Sequence, residues 1–232
     1  MEPKTTFNNN ILIKLDPENN FIKLKNGTDL YIDTAFEPEK HATVTGEVMG
    51  LPRNLNYTGV PNVGMPWKTK MELKIGDKAI CYYLSVLNAL RPESMKAFIE
   101  GEDRYVFIQY QNIFAVVRQG MIIPINGYCL IEPCENPIKQ ELKDRMAKSN
   151  LVVVNLDKPS NTDVVFGKVK YTGRPNEEYS DGSSDEGVGI DSGDMVIMRK
   201  ITDLPLEYEL HAKIDGGKKY WRVQRRKILA IT

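Results

Sequence analysis

The chain has no surplus of either charge. Its 31 Lys and Arg residues meet 31 Asp and Glu, for a formal net charge of +0. A protein that grips nucleic acid over a long footprint carries a basic excess, so nucleic acid is not an expected partner. Long apolar runs are also missing: nothing approaches the roughly 20 residues that cross a bilayer as a helix, and no membrane partner is expected. The opening Met-Glu-Pro-Lys-Thr-Thr-Phe lacks a basic n-region and an apolar h-region, which predicts no secretory signal and a cytoplasmic setting. Only three cysteines occur, Cys81, Cys129 and Cys134, without CxxC spacing, as fits a reducing compartment. The two histidines, His41 and His211, lie near no cysteine, so no zinc or haem site is expected. GxSxG, HExxH and phosphate-loop patterns are all absent. The expectation is a non-enzyme with no catalytic residues, cofactor or metal.

Apolar residues make up 41% of the 232-residue chain and charged residues 27%, enough to build a packed core. They are organised as an internal repeat. Residues 96–116 (KAFIEGEDRYVFIQYQNIFAV) align without a gap on residues 211–231 (HAKIDGGKKYWRVQRRKILAI). Ala97, Ile99, Gly101, Tyr105, Gln109, Ile113 and Ala115 each meet an identical residue. Upstream, Gly76-Asp77 answers Gly193-Asp194, Gly46-Glu47-Val48 answers Gly167-Lys168-Val169, and Asn10-Ile-Leu-Ile-Lys-Leu15 answers Gly127-Tyr-Cys-Leu-Ile-Glu132. Four blocks recur in one order, which predicts two copies of one fold, 1–118 and 119–232. Each copy balances its charge, with 14 basic and 14 acidic residues in the first and 17 of each in the second.

The blocks are rich in Val, Ile, Tyr and Phe and lack a sustained 3.6-residue period, so they predict short strands. Glu100-Gly101-Glu102 and Asp215-Gly216-Gly217 read as hairpin turns. In Lys74-Ile-Gly-Asp77 and Asp191-Ser-Gly-Asp194, glycine lets the chain turn and the aspartate can accept a bond from its own backbone. The expected helix is 137–148, with Asn136 as cap and Ile138, Leu142 and Met146 on one face. Long irregular stretches at 16–41, 50–70, 137–164 and 172–189 interrupt the strands and are expected to be functional or flexible.

This order resembles the GroES-type co-chaperonins: a strand at Ile11–Leu15, then a long loop with the apolar triplet Leu30-Tyr31-Ile32. After these come Gly46-Glu47-Val48, a second long loop, Lys74-Ile-Gly-Asp77, a hairpin, and Ile113-Phe-Ala-Val-Val117. The second copy is similar at Lys213-Ile-Asp-Gly-Gly217 and Lys227-Ile-Leu-Ala-Ile231. The likeness spans nearly all the chain, and the arrangement is similar to that of tandem, double-domain members. It implies an all-β protein of two GroES-like irregular β-barrels with long loops. It further implies a homo-oligomeric ring that caps a chaperonin ring, encloses a non-native client protein and assists its ATP-dependent folding.

By position, chaperonin-binding residues would be Leu30, Tyr31 and Ile32 in the first copy and Val152, Val153 and Val154 in the second. The loops 51–70 and 174–190 would form the roof. An aromatic Tyr31 flanked by Asp29 and Asp33, and a charged lead-in at 139–148, depart from the family pattern. These departures keep a second reading open: a structural ring or scaffold, in a virion if the chain is viral. The basic run at 213–227 is expected to be a solvated strand face or a partner for acidic neighbours. The acidic stretch 177–194, with seven carboxylates, is expected to be a solvated loop tip.

Overall fold

Alternating burial along the valine- and isoleucine-rich blocks builds a protein made mainly of strands, seen here in a computed structural model that describes residues 4–17, 21–23, 26–31, 43–58, 64–136, 141, 144, 145, 148, 164–199 and 220–231. The strands are β1 (Lys4–Thr6), β2 (Asn10–Leu15), β3 (Phe21–Lys23), β4 (Asp29–Tyr31), β5 (Thr45–Pro52), β6 (Trp67–Lys68) and β7 (Lys78–Cys81). A helix, α1 (Tyr83–Leu90), precedes β8 (Ala97–Glu100), β9 (Asp103–Gln109) and β10 (Ile113–Arg118). Then follow β11 (Met121–Pro124), β12 (Tyr128–Cys134), β13 (Val164–Thr172), β14 (Glu178–Tyr179), β15 (Met195–Arg199), β16 (Trp221–Gln224) and β17 (Ile228–Ile231).

Two larger sheets share one plan. The first runs β11-β10-β7-β5-β2-β9-β8, with β1 lying parallel on β5, and the second runs β16-β12-β13-β15-β17. The second order is that of β9-β2-β5-β7-β10 in the first. Registers agree as well. Ile13 faces Val48 as Ile131 faces Val169, and both ladders slip at the preceding step, after Leu12 and after Leu130. Ala115 faces Ile80 as Ala230 faces Ile197, again beside a slip. Gln109 faces Asn10 as Gln224 faces Tyr128.

The repeat extends to single contacts. Lys74 N–H donates to Asp77 Oδ2 at 2.7 Å and Asp191 N–H to Asp194 Oδ2 at the same distance. Gly76 and Gly193 turn there at φ 84° and 105°, a region open to glycine because it has no Cβ. Gly46 and Gly167 pass so close to β2 and β12 that a Cβ would meet Ile13 Cγ2 at 2.6 Å and Ile131 Cγ2 at 2.3 Å.

Among the described residues neither sheet closes into a barrel. In the first, β8 folds back on β9 and β11 folds back on β10, so each end is extended by a hairpin partner instead of meeting the other end. The helix α1 was not expected. Val86 and Ala89, three residues apart, are its buried positions, and it packs against β9. Arg91, extended before Pro92, stops it. Of the segment expected to be helical, Glu141, Asp144, Arg145 and Lys148 are described and are helical.

One apolar core lies on the first sheet, around Ile11, Ile13, Val48, Val106 and Val116; it also takes in Ile125 and Tyr179 from beyond β10. A smaller one lies on the second, around Cys129, Ile131, Val169, Val196 and Met198.

Candidate docking hairpin and the clasp between the sheets

The first long loop carries a hairpin of its own. β3 and β4 pair antiparallel, Phe21 opposite Tyr31 and Ile22 opposite Leu30, and form a separate two-stranded sheet. Asn26 Oδ1 accepts the Thr28 N–H at 3.1 Å and Gly27 takes φ 83°, the chemistry of a tight turn. Leu30 is 49% exposed and Tyr31 62%. A lone two-stranded ribbon is marginal in water, and burying one such side chain contributes about 1.5 to 3 kcal/mol. Ile32, Val152, Val153 and Val154 lie outside the described residues.

The two long loops that the resemblance would place in a roof are joined to each other. β6 from the first pairs with β14 from the second, Trp67 opposite Tyr179, and both rings are buried. The rings sit 6.4 Å apart, tilted by 60°. Beneath them Asn126, fully buried in the turn between β11 and β12, holds the clasp. Its Nδ2 donates to the carbonyls of Tyr110 at 2.8 Å and Ile113 at 2.9 Å, and its Oδ1 accepts from Trp67 Nε1. Its N–H donates to Glu72 Oε2 at 2.9 Å. Asn176 Nδ2 donates to the Asn126 carbonyl at 3.0 Å, while Tyr179 OH donates to Asp185 Oδ2 at 2.7 Å.

Two expectations are corrected here. The acidic stretch is not simply a solvated tip: Asp185 is buried under Tyr179, and Glu177 faces Lys68 and Lys70 at 3.6 and 3.7 Å. The described part of the basic run is a solvated face only in part: Arg226 is exposed, whereas Arg225 is buried. Arg222 lies 3.4 Å from the centre of the Phe114 ring, and Arg226 lies 4.3 Å from that of Tyr179. Arg225 is buried, donating to the carbonyls of Val188 at 3.0 Å and Gly173 at 2.6 Å. A guanidinium over an aromatic face is attracted by the ring quadrupole. Sequence reasoning missed this clasp because a basic, aromatic run looks alike whether its planes face solvent or a neighbouring ring.

Three ionisable groups in the clasp, Glu72, Tyr110 and Tyr179, are shifted toward their neutral forms. Burial pushes the Glu72 carboxyl above its ordinary value, partly offset by the Asn126 N–H and by Arg174. Burial also raises the Tyr110 and Tyr179 hydroxyls, and nearby Glu72 and Asp185 add to the rise. Among the described residues no group of three His, Cys, Asp or Glu is placed to hold a metal ion. The clasp chemistry is that of a joint, in which buried side chains are tied to one another by hydrogen bonds and ring contacts.

The chain matches no protein-family model and no curated protein.

Proposed function

We propose that the chain is a co-chaperonin lid of two GroES-like units, 1–118 and 119–232. It would dock on a chaperonin ring through the first long loop and enclose a non-native client while the ring hydrolyses ATP. The observation that carries this reading is the exposed Leu30-Tyr31 pair on a hairpin that belongs to neither large sheet. A loop that orders on docking loses roughly 1 to 2 kcal/mol per fixed residue, so one apolar tip binds weakly. Several tips on one ring bind through effective concentration, firmly yet reversibly, as a lid must. The matching registers of the two sheets support the two-unit reading. The test is co-sedimentation with a chaperonin ring from the same source, with and without nucleotide, alongside the rate of ATP hydrolysis. Binding that is lost in Leu30→Asp and Tyr31→Asp supports the reading. Absence of binding and an unchanged hydrolysis rate end it.

One observation favours a second reading, a structural ring or scaffold. The loops that would form a roof are fastened inside the chain by Trp67, Tyr179 and Asn126. Backbone-amide exchange separates the two readings. Fast exchange across 21–31 in the isolated protein fits the lid, and strong protection there fits the scaffold.

A further inference from the structure

Among the described residues three turns set a glycine directly after an Asn or Asp: Asn26-Gly27, Asn126-Gly127 and Asp181-Gly182. The glycines take φ 83°, 71° and 78°. A chain can react with itself at such a pair. The backbone nitrogen of the glycine attacks the preceding side-chain Cγ, and no side chain on the glycine shields it. The step needs a carbonyl carbon that attracts a nucleophile, a group that can leave, and access for water. The three turns meet these needs very differently.

Asn126-Gly127 is locked. Asn126 is fully buried, its Nδ2 is held by the carbonyls of Tyr110 and Ile113, and its Oδ1 by Trp67 Nε1. The space a Cβ would take at Gly127 is filled by Asn176 Nδ2 at 2.4 Å and Asp185 Oδ2 at 3.0 Å. The amide can neither swing nor leave. Asp181-Gly182 is open but inert. Both residues are exposed, and Asp181 Oδ1 accepts the Ser183 N–H at 3.0 Å. Bonds from Ser183 hold the Asp181 carboxyl below its ordinary value, so it stays ionised, and a carboxylate repels a nucleophile.

Asn26-Gly27 is open and reactive. Both residues are exposed in the turn between β3 and β4, and nothing lies within 4 Å of a Cβ at Gly27. Within the described residues no acceptor holds Asn26 Nδ2. The Thr28 N–H donates to Asn26 Oδ1 at 3.1 Å, which folds the carboxamide back toward the Gly27 nitrogen and draws electrons from Cγ. The amide carries no charge, so it keeps the electrophilic carbon that Asp181 lacks.

We propose that Asn26 is a self-modification site, where the chain deamidates through Gly27 with water as the only co-reactant. The Gly27 nitrogen gives up its proton and bonds to Cγ. The Cγ–Nδ2 bond breaks, and the nitrogen leaves as ammonia with that proton, which closes a cyclic imide. Water then opens the imide at either carbonyl and returns a proton to the Gly27 nitrogen. Opening at Cγ leaves aspartate. Opening at the Asn26 backbone carbonyl leaves isoaspartate, whose main chain runs through Cβ and Cγ and is longer by a methylene. Either product puts a negative charge into the turn, and the second also lengthens the link between Lys23 and Asp29, which face each other across the ribbon. The hairpin that presents Leu30 and Tyr31 thus carries a mark of its age. The reaction needs only this turn and water, so it holds whether or not the hairpin docks on a ring.

The test is peptide mapping by mass spectrometry of the full folded chain after incubation at mildly alkaline pH, with a protein isoaspartyl methyltransferase to detect isoaspartate. Asn26 should convert at least about tenfold faster than Asn126, which reacts only in molecules whose clasp has opened. Isoaspartate should also build up faster at position 26 than at Asp181. In denaturant Asn26 and Asn126 should convert alike, since each is then a free Asn-Gly pair. Asn26→Gln keeps the amide but lengthens the side chain, which disfavours ring closure, and should abolish methyl acceptance by that peptide. An Asn26 that keeps its amide in the folded chain would overturn the proposal. So would Asn26 and Asn126 converting at one rate in the folded chain, since the turn geometry would then decide nothing.

Discussion

Trp67 Nε1 donates to Asn126 Oδ1 across 3.2 Å, joining strand β6 to the turn between β11 and β12. Both partners are buried, and the asparagine spends its remaining polar atoms on Tyr110, Ile113, Glu72 and Asn176. A polar group inside a protein stabilises only when it is satisfied, and one residue satisfied on five sides ties together everything it touches. The two sheets therefore share a joint in which β6, β14 and the 125–128 turn depend on one another.

Replacing that asparagine shows what the joint contributes. Asn126→Ala takes the acceptor from the Trp67 indole N–H and a side-chain donor from the Tyr110 and Ile113 carbonyls, and puts alanine at φ 59°. The expected loss is about 3 kcal/mol, read as a lower urea midpoint. Asn126→Gly, which suits the backbone, should lose less. An undiminished midpoint in the alanine variant would mean that the joint carries no weight.

The paired glycines give a prediction with an internal control. In Gly46→Ala the new Cβ meets the Lys14 carbonyl at 2.4 Å, and in Gly167→Ala it meets the Glu132 carbonyl at 3.0 Å and Ile131 Cγ2 at 2.3 Å. Backbone cannot step aside as a side-chain tip can. Gly46→Ala should cost about 3 kcal/mol or more, and Gly167→Ala somewhat less because part of its clash is with a methyl group. Thermal unfolding of both variants checks the order.

Much of the strand plan was legible in the sequence, and particular residues show why. Gly101 between the apolar runs of β8 and β9 announces a tight turn, and the strands meet there with Glu100 opposite Asp103. The aspartates of the two Gly-Asp blocks bond their own backbone because the preceding glycine turns the chain back toward them. Local chemistry of this kind is written in a few neighbouring residues. The clasp was not legible, because Arg222 over Phe114 and Asn126 under Trp67 join residues far apart in the chain. Helix α1 was missed for another reason: its apolar face is short, with Val86 and Ala89 the only buried positions. Of the six proposed docking residues, Leu30 and Tyr31 are described and exposed, and the other four lie outside the described residues.

The buried carboxyl of Glu72 gives the joint a pH dependence. Its folded value is raised above the ordinary 4.5, so the folded state holds the proton more tightly than the unfolded chain. That contribution is fully present below the ordinary value and is lost as pH rises through the folded one. Arg174 and Arg118, which favour the charged form, limit the rise. Glu72→Gln keeps an oxygen to accept the Asn126 N–H but cannot ionise. The stability of the variant relative to the parent should therefore climb with pH just above 4.5 and then level off. A pH-independent difference between the two would show that Glu72 titrates alike in both states.

The three cysteines report on the cores without a designed change. Cys81 lies in the first core and Cys129 in the second, both buried, while Cys134 at the end of β12 is half-buried. All three are unpaired, and burial raises each thiol above its ordinary value, which starves the reactive thiolate. An aromatic disulfide reagent at mildly alkaline pH should label Cys134 alone in the native protein, more slowly than it labels free cysteine. In denaturant all three should react together. Native labelling of Cys129 at the Cys134 rate would show that the smaller core opens freely.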